Sequence, residues 1–242
     1  MDPVRNPYTP NAGAEPELVV GRDDQLQSFD VLLKRLQSGR TEQSMVITGL
    51  RGVGKTVLLG QFRAKALAAG WVVVDLEVSK HDEQGFRREL AARMRTALFE
   101  LSPRARWNER VSFAASVLRS FTLSVDQAGT MSLGAATAAA EGYADHGDLP
   151  LDTADLMVAM GEAAASVGSG VVLLLDEIQF LSSPQLEALI SGLHRAVQRK
   201  LPITLVGAGL PQIAELAGDA KSYAERLLKF PEIGNLVGAD AD

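Results

Sequence analysis

The chain has no cysteine among its 242 residues. That excludes disulfides, thiolate metal sites and a cysteine nucleophile, and it fits a reducing compartment, with the cytoplasm as the expected location. Histidine is nearly as scarce. His81, His146 and His194 stand far apart with no ligand spacing, so they read as solvated or helix-face residues rather than metal ligands. Long apolar runs are missing too: stretches such as Val171 to Leu175 are far too short to span a bilayer. No N-terminal window joins basic residues to an apolar run of signal-peptide length, and no membrane partner is expected. Positive charge is not in excess. The 24 Lys and Arg are outnumbered by 30 Asp and Glu, for a formal charge of -6, so a broadly basic nucleic-acid surface finds no support. What the chain does have is 46% hydrophobic residues, enough for one dominant domain with a sizeable core.

Turn formers fill residues 6–13, which read as an N-terminal arm and nucleotide-side loop extending to residue 22, ahead of a core spanning 23–242. Asp23 is the expected N-cap of an amphipathic helix carrying Leu26, Phe29, Leu33 and Leu36, with Gly39 ending it. Met45 to Thr48 reads as a strand, and Val57 to Leu67 as the apolar face of a helix ending at Gly70. A second strand is expected over Trp71 to Val78, followed by helices marked by Phe86, Leu90, Met94 and Leu98 and by Val111 to Leu118. Phe121, Leu123 and Val125 alternate with polar residues before the turn at Asp126 to Gly129, and Met131 and Leu133 resume the alternation. This predicts an inserted β-hairpin and loop over residues 119–147. Asp152 is expected to cap the next helix. Val171 to Leu175 reads as a strand buried on both faces, Ser183 as an N-cap with Pro184 in the first turn of its helix, and Ile203 to Val206 as another strand. Short helices from Pro211 and around Tyr223 precede a final apolar piece. Alternating strands and helices imply right-handed βαβ units, and hence an α/β fold: a three-layer αβα sandwich around a parallel central sheet.

Gly49-Leu50-Arg51-Gly52-Val53-Gly54-Lys55-Thr56 matches G-x-x-x-x-G-K-[ST] without exception, between a strand and a helix. Glycines let the backbone wrap a polyphosphate, so that N–H groups from Gly49, Arg51, Gly52, Val53 and Gly54 through Val57 act with the positive end of the following helix. Lys55 is placed to reach the β- and γ-phosphates, and Thr56 to hold magnesium. Val171 to Leu175 then delivers Asp176 and Glu177 at a strand's C-terminal end, where ligands bind in open parallel sheets. Asp176 suits the metal, and Glu177 suits orienting or deprotonating the attacking water.

With Leu18-Val19-Val20-Gly21-Arg22-Asp23 upstream, these motifs resemble the AAA+ ATPases, in particular the bacterial branch related to the Orc1/Cdc6-like and STAND-type ATPases. The resemblance implies a P-loop NTPase core using ATP/ADP and Mg2+, with Val20, Gly21 and Arg22 beside the adenine. It also implies a polar γ-phosphate sensor at the end of Ile203 to Gly209. That segment ends in small residues, leaving Thr204 or backbone groups as weak substitutes. Arg226 stands about where the family carries an arginine finger, which would act in trans in a homo-oligomer; pairing with Glu225 or another surface acid is the competing reading. The family's helical lid follows its last core strand, here read at Phe230 to Ile233, so an N-terminal ATPase core with its lid largely absent is expected.

The leading expectation is magnesium-dependent ATP hydrolysis driving a conformational change. The alternatives are a nucleotide switch with little hydrolysis and an ATP-dependent DNA-loading or initiator-like factor. No Asn-Lys-x-Asp motif points to guanine.

Overall fold

Aliphatic runs that carry no charge until their last residues become the strands. β1 (Ser44–Thr48), β2 (Val72–Glu77), β3 (Val171–Asp176), β4 (Ile203–Gly209) and β5 (Leu228–Lys229) alternate with helices along the chain. The computed structural model describes residues 21–78, 82–103, 107–123 and 138–235. Within them the strands form one parallel sheet in the order β2-β3-β4-β1-β5.

The period-two alternation of strand side chains separates two cores. Met45, Ile47, Val172, Leu174, Val206 and Ala208 join α1 (Asp23–Gln37) and α2 (Lys55–Ala68) on one face. Val46, Val171, Leu173, Leu175, Ile203 and Leu205 face the other way. There they meet α3 (Glu83–Leu101), α5 (Leu149–Ser166) and α6 (Ser183–Gln198), with α7 (Ile213–Ala220) and α8 (Ala224–Leu227) at the margin. α4 (Glu109–Leu123) packs chiefly on α3 and α5. This is the αβα sandwich that the alternation of elements predicts.

Register decides what meets at the sheet's C-terminal edge. Thr48 stands beside Gly209, Leu175 beside Gly207, and Asp176 beside Glu77. The loop after β1, the carboxylates ending β3 and the tip of β4 therefore emerge together. On the far side of β1, the chain from Leu228 to Ile233 follows the strand. Thr48 N–H donates to Pro231 O at 2.9 Å and Ile233 N–H to Thr48 O at 2.8 Å. The regular part, β5, is only two residues long and starts earlier than the expected Phe230 to Ile233, because Pro231 has no N–H to donate to a ladder.

Four local expectations change. The hairpin expected from Phe121 fails at its start: Phe121 and Leu123 are the last turn of α4, because Val117, Leu118 and Phe121 continue the helical face into the core. The remainder of that expected hairpin, from residue 124, lies outside the described residues. Asp23 belongs to the first turn of α1, and Arg22 occupies its N-cap position. Asp148, not Asp152, caps α5, accepting from Leu151 N–H at 2.8 Å, and Ser182, not Ser183, caps α6, its N–H donating to Gln185 Oε1 at 2.9 Å in a capping box.

Asp152 lies one turn further in and is fully buried. Its Oδ2 accepts from Arg87 Nη1 of α3 at 2.8 Å, and its Oδ1 from the His146 N–H at 2.9 Å. Arg87 also lies over the Phe121 ring, 5.4 Å from its centroid. One buried ion pair thus joins α3, α5 and the loop before α5. Without Asp152, Arg87 loses its buried counter-charge and still meets Glu83, whose carboxylate is exposed, at 3.1 Å. Asp152→Ala is expected to lower unfolding free energy by about 3–5 kcal/mol, and Arg87→Met with Asp152→Leu to recover most of it, as measured by urea unfolding.

His146 Nε2 lies 3.0 Å from Asp155 Oδ2. That hydrogen bond, helped by the charges of Asp155, Asp152 and Asp145 and opposed by desolvation, raises the imidazole pKa above its ordinary 6.5. A raised folded-state pKa gives a contribution that is complete below pH 6.5 and is lost as pH rises through the higher value. Proton NMR of the His146 ring should place its midpoint above 6.5, and Asp155→Asn should lower it.

Candidate functional site

α2 begins where the glycine loop ends. Gly52 and Gly54 hold φ values of 81° and 90°, the left-handed region open to glycine, and Gly54 is the N-cap of α2. The first-turn N–H groups, from Lys55 to Val57, therefore face the loop's mouth at the positive end of the helix. Lys55 is buried, and its Nζ donates to Gly49 O at 2.9 Å and Leu50 O at 2.7 Å, so its ammonium lies across the loop. Arg51 and Thr56 are exposed, Val53 is buried, and Val57 is half-buried.

Thr56 Oγ1 donates to Asp176 Oδ2 at 2.7 Å, joining the loop after β1 to the end of β3. Asp176 Oδ1 accepts from Glu177 N–H at 2.8 Å. Glu177 itself is in the left-handed region, φ 52° and ψ 37°, an uncommon conformation for a non-glycine residue. A hydroxyl and a carboxylate in direct contact, both hard oxygen donors, fit a magnesium ion that keeps most of its water ligands.

The loop is braced from behind. Gly49 N–H donates to Gly209 O at 3.3 Å. A Cβ at Gly49 would collide with the Ile233 carbonyl and stand 3.0 Å from Val53 Cγ2, so no larger residue fits. Arg22 Nη2 donates to Val53 O at 3.0 Å and Gly234 O at 2.6 Å, while Nη1 donates to Gly21 O at 3.2 Å. The arginine expected beside adenine thus clamps three backbone segments around the loop. Gly21 has φ 68°, and Val20 lies outside the described residues.

Arg226 is not near the loop of its own chain. It is exposed on α8, immediately before β5, where Leu228 pairs with Ser44 at the opposite end of β1 from Gly49. Among the described residues its guanidinium has no hydrogen-bond or ion-pair partner, so neither Glu225 nor another described acid holds it. Thr204 is likewise at the wrong end of its strand, and its hydroxyl is engaged with Ser44 Oγ at 2.8 Å.

One site residue escaped the sequence reading. Gln179, in the short 3-10 turn after Glu177, donates from Nε2 to Glu177 Oε2 and accepts from Leu210 N–H at 3.1 Å. Its only sequence signal was indirect, the run of small residues ending β4.

A family model described as an AAA ATPase domain matches residues 18–206, most of the chain, including Arg22, the loop of residues 49–56 and Asp176 to Gln179. The chain belongs to this AAA ATPase family. Comparison with curated proteins gives no match. Among solved structures it resembles Cdc6p from Pyrobaculum aerophilum, at 16% identity and a TM-score of 0.51, covering 92% of this chain and 47% of that one. The Aeropyrum pernix Orc1 protein, solved in complex with DNA, aligns at 15% identity and a TM-score of 0.40 over 93% and 48% of the two chains. The Cdc6p likeness shows a shared AAA+ fold; the chain spans about half the length of both structures. No helix among the described residues is long and apolar enough to cross a membrane.

The bracing generates a stability test. Gly49→Ala is expected to lose about 1–3 kcal/mol through the clash with Ile233, read by chemical denaturation. An unchanged midpoint would show that the segment from Pro231 to Gly234 does not pack on the loop in solution.

Proposed function

We propose that this AAA ATPase domain binds ATP at residues 49–56 with magnesium, hydrolyses it, and changes conformation with nucleotide state within an oligomer or a longer protein. The observation that carries the proposal is the contact of Thr56 with Asp176 at 2.7 Å beside the Lys55 ammonium. It brings a cation, a helix start and a metal-type oxygen pair to one sheet edge.

In this reading the N–H groups of the loop and of the first turn of α2 receive the β- and γ-phosphates, with Lys55 turning from the loop carbonyls to phosphate oxygens. Thr56 and Asp176 would hold the magnesium, which neutralises charge on the phosphate oxygens when bound. Glu177 orients the attacking water and accepts its proton. Gly21 and Arg22 would serve the adenine side, with Arg22 also clamping the loop, and the family resemblance assigns Val20 to the same role. The chemistry suits the cytoplasm, where ATP and magnesium are both available.

Arg226 supplies charge to a neighbour's site. Gly49 comes five positions after Ser44, roughly 17 Å of strand, farther than an arginine side chain extends from its own α8. Its guanidinium, exposed and without a partner among the described residues, is suited to neutralising transition-state charge across a subunit interface.

One observation favours the competing reading of a switch with little hydrolysis: the tip of β4 carries no polar side chain. Turnover separates the two. Glu177→Gln should retain ATP affinity while kcat falls about 100-fold or more. Turnover per chain should rise with protein concentration, and Arg226→Ala should abolish that rise without weakening ATP binding. A low rate, independent of concentration and indifferent to Glu177→Gln, would establish the switch.

A further inference from the structure

Gln179 lies between three parts of the molecule that the sheet order keeps separate. β4 runs between β1 and β3, so the loop after β1 and the carboxylates after β3 flank the tip of β4. At that tip β4 contributes Gly207, Ala208 and Gly209, with no polar side chain. The space is taken from the β3 side. A Cβ at Gly209 would stand 2.7 Å from Gln179 Oε1 and 2.8 Å from Ile178 Cγ2, and one at Gly207 2.8 Å from Ile178 Cδ1.

The two ends of the Gln179 amide are used in opposite senses. Oε1 accepts the Leu210 N–H, the first amide past β4, at 3.1 Å, and Nε2 donates to Glu177 Oε2. From there the contacts run onward. Glu177 N–H donates to Asp176 Oδ1, Asp176 Oδ2 accepts from Thr56, and Gly49 N–H donates to Gly209 O. A planar amide fixed at its oxygen has little freedom to place its nitrogen, so the β4 tip sets where the Glu177 carboxylate lies.

The geometry points to Gln179 as the positioning residue for Glu177: it supplies, from the β3 side, the polar group that β4 lacks, and it ties the carboxylate that activates water to the tip of β4. The inference rests on the hydrolysis reading above. It adds a residue to that reading, and it explains why β4 must end in glycine.

The test is a set of variants assayed for kcat, KM and ATP affinity, with thermal melts to confirm folding. Gln179→Met, similar in shape but without donor or acceptor, is expected to lower kcat about tenfold or more, with the dissociation constant for ATP within about twofold of the parent. Gln179→Glu keeps the acceptor for Leu210 N–H and loses the donor toward Glu177. It should fall as far as Gln179→Met if the amide acts on Glu177, and stay active if the residue only braces the turn. Gly209→Ala, on a different element, should displace Gln179 and lower kcat in the same way.

A double-mutant cycle completes the test. If Gln179 acts through Glu177, adding Gln179→Met to Glu177→Gln should leave the residual single-turnover rate unchanged. Parent-like kcat in Gln179→Met or in Gln179→Glu, or a full additional loss in the Glu177→Gln background, would overturn the assignment. If the parent turns over ATP and Glu177→Gln does not, either result removes Gln179 alone. A parent without turnover removes the hydrolysis reading and this inference together.

Discussion

Two halves of the site meet across a strand that separates them, and the meeting depends on that strand having almost no side chains at its end. The loop after β1 and the carboxylates after β3 are not neighbours in the sheet; β4 runs between them. Thr56 reaches Asp176, and Gln179 reaches both Glu177 and Leu210, over a tip made of Gly207, Ala208 and Gly209. Branched residues there would drive Ile178 and Gln179 outward and carry Glu177 with them. The smallness of the β4 tip is therefore a condition of the site.

The rest of the architecture holds that edge still. The central strands β1, β3 and β4 are buried on both faces, and the segment from Leu228 to Ile233 lies along β1 so closely that Gly49 has no room for a Cβ. Arg22 closes the arrangement by bonding carbonyls of Gly21, Val53 and Gly234. Such bracing suits an anion site, because amides aimed at a phosphate act most strongly when they need not reorganise. Farther away, the buried pair of Arg87 and Asp152 fixes the helices that cover the other face of the sheet.

What could be read from the residues alone was local in sequence or periodic. The glycine loop, the strand ending in Asp176-Glu177 and the alternating faces of the sheet each declare themselves within about ten residues, because the physics that shapes them acts at that range. What escaped depends on contacts between distant segments. Gln179 and Leu210 are 31 residues apart, and Arg87 and Asp152 are 65 apart. A glutamine two positions past a strand and an aspartate in the first turn of a helix look ordinary until packing supplies their partners. Phe121 shows a different failure: it fits both a period of two and the helical face continuing from Val117 and Leu118, and burial against Arg87 settles which one holds. The small residues ending β4 were visible as a departure from the family pattern. Their meaning required the neighbour that fills the space.

Every role proposed for these residues requires a triphosphate seated in the glycine loop. Isothermal titration calorimetry of the purified protein with ATP, with and without magnesium, addresses this directly. Saturable heat that strengthens with magnesium, and that disappears in Lys55→Ala while the fold persists by circular dichroism, is the predicted result. No heat in either condition, or identical binding by Lys55→Ala, would contradict it.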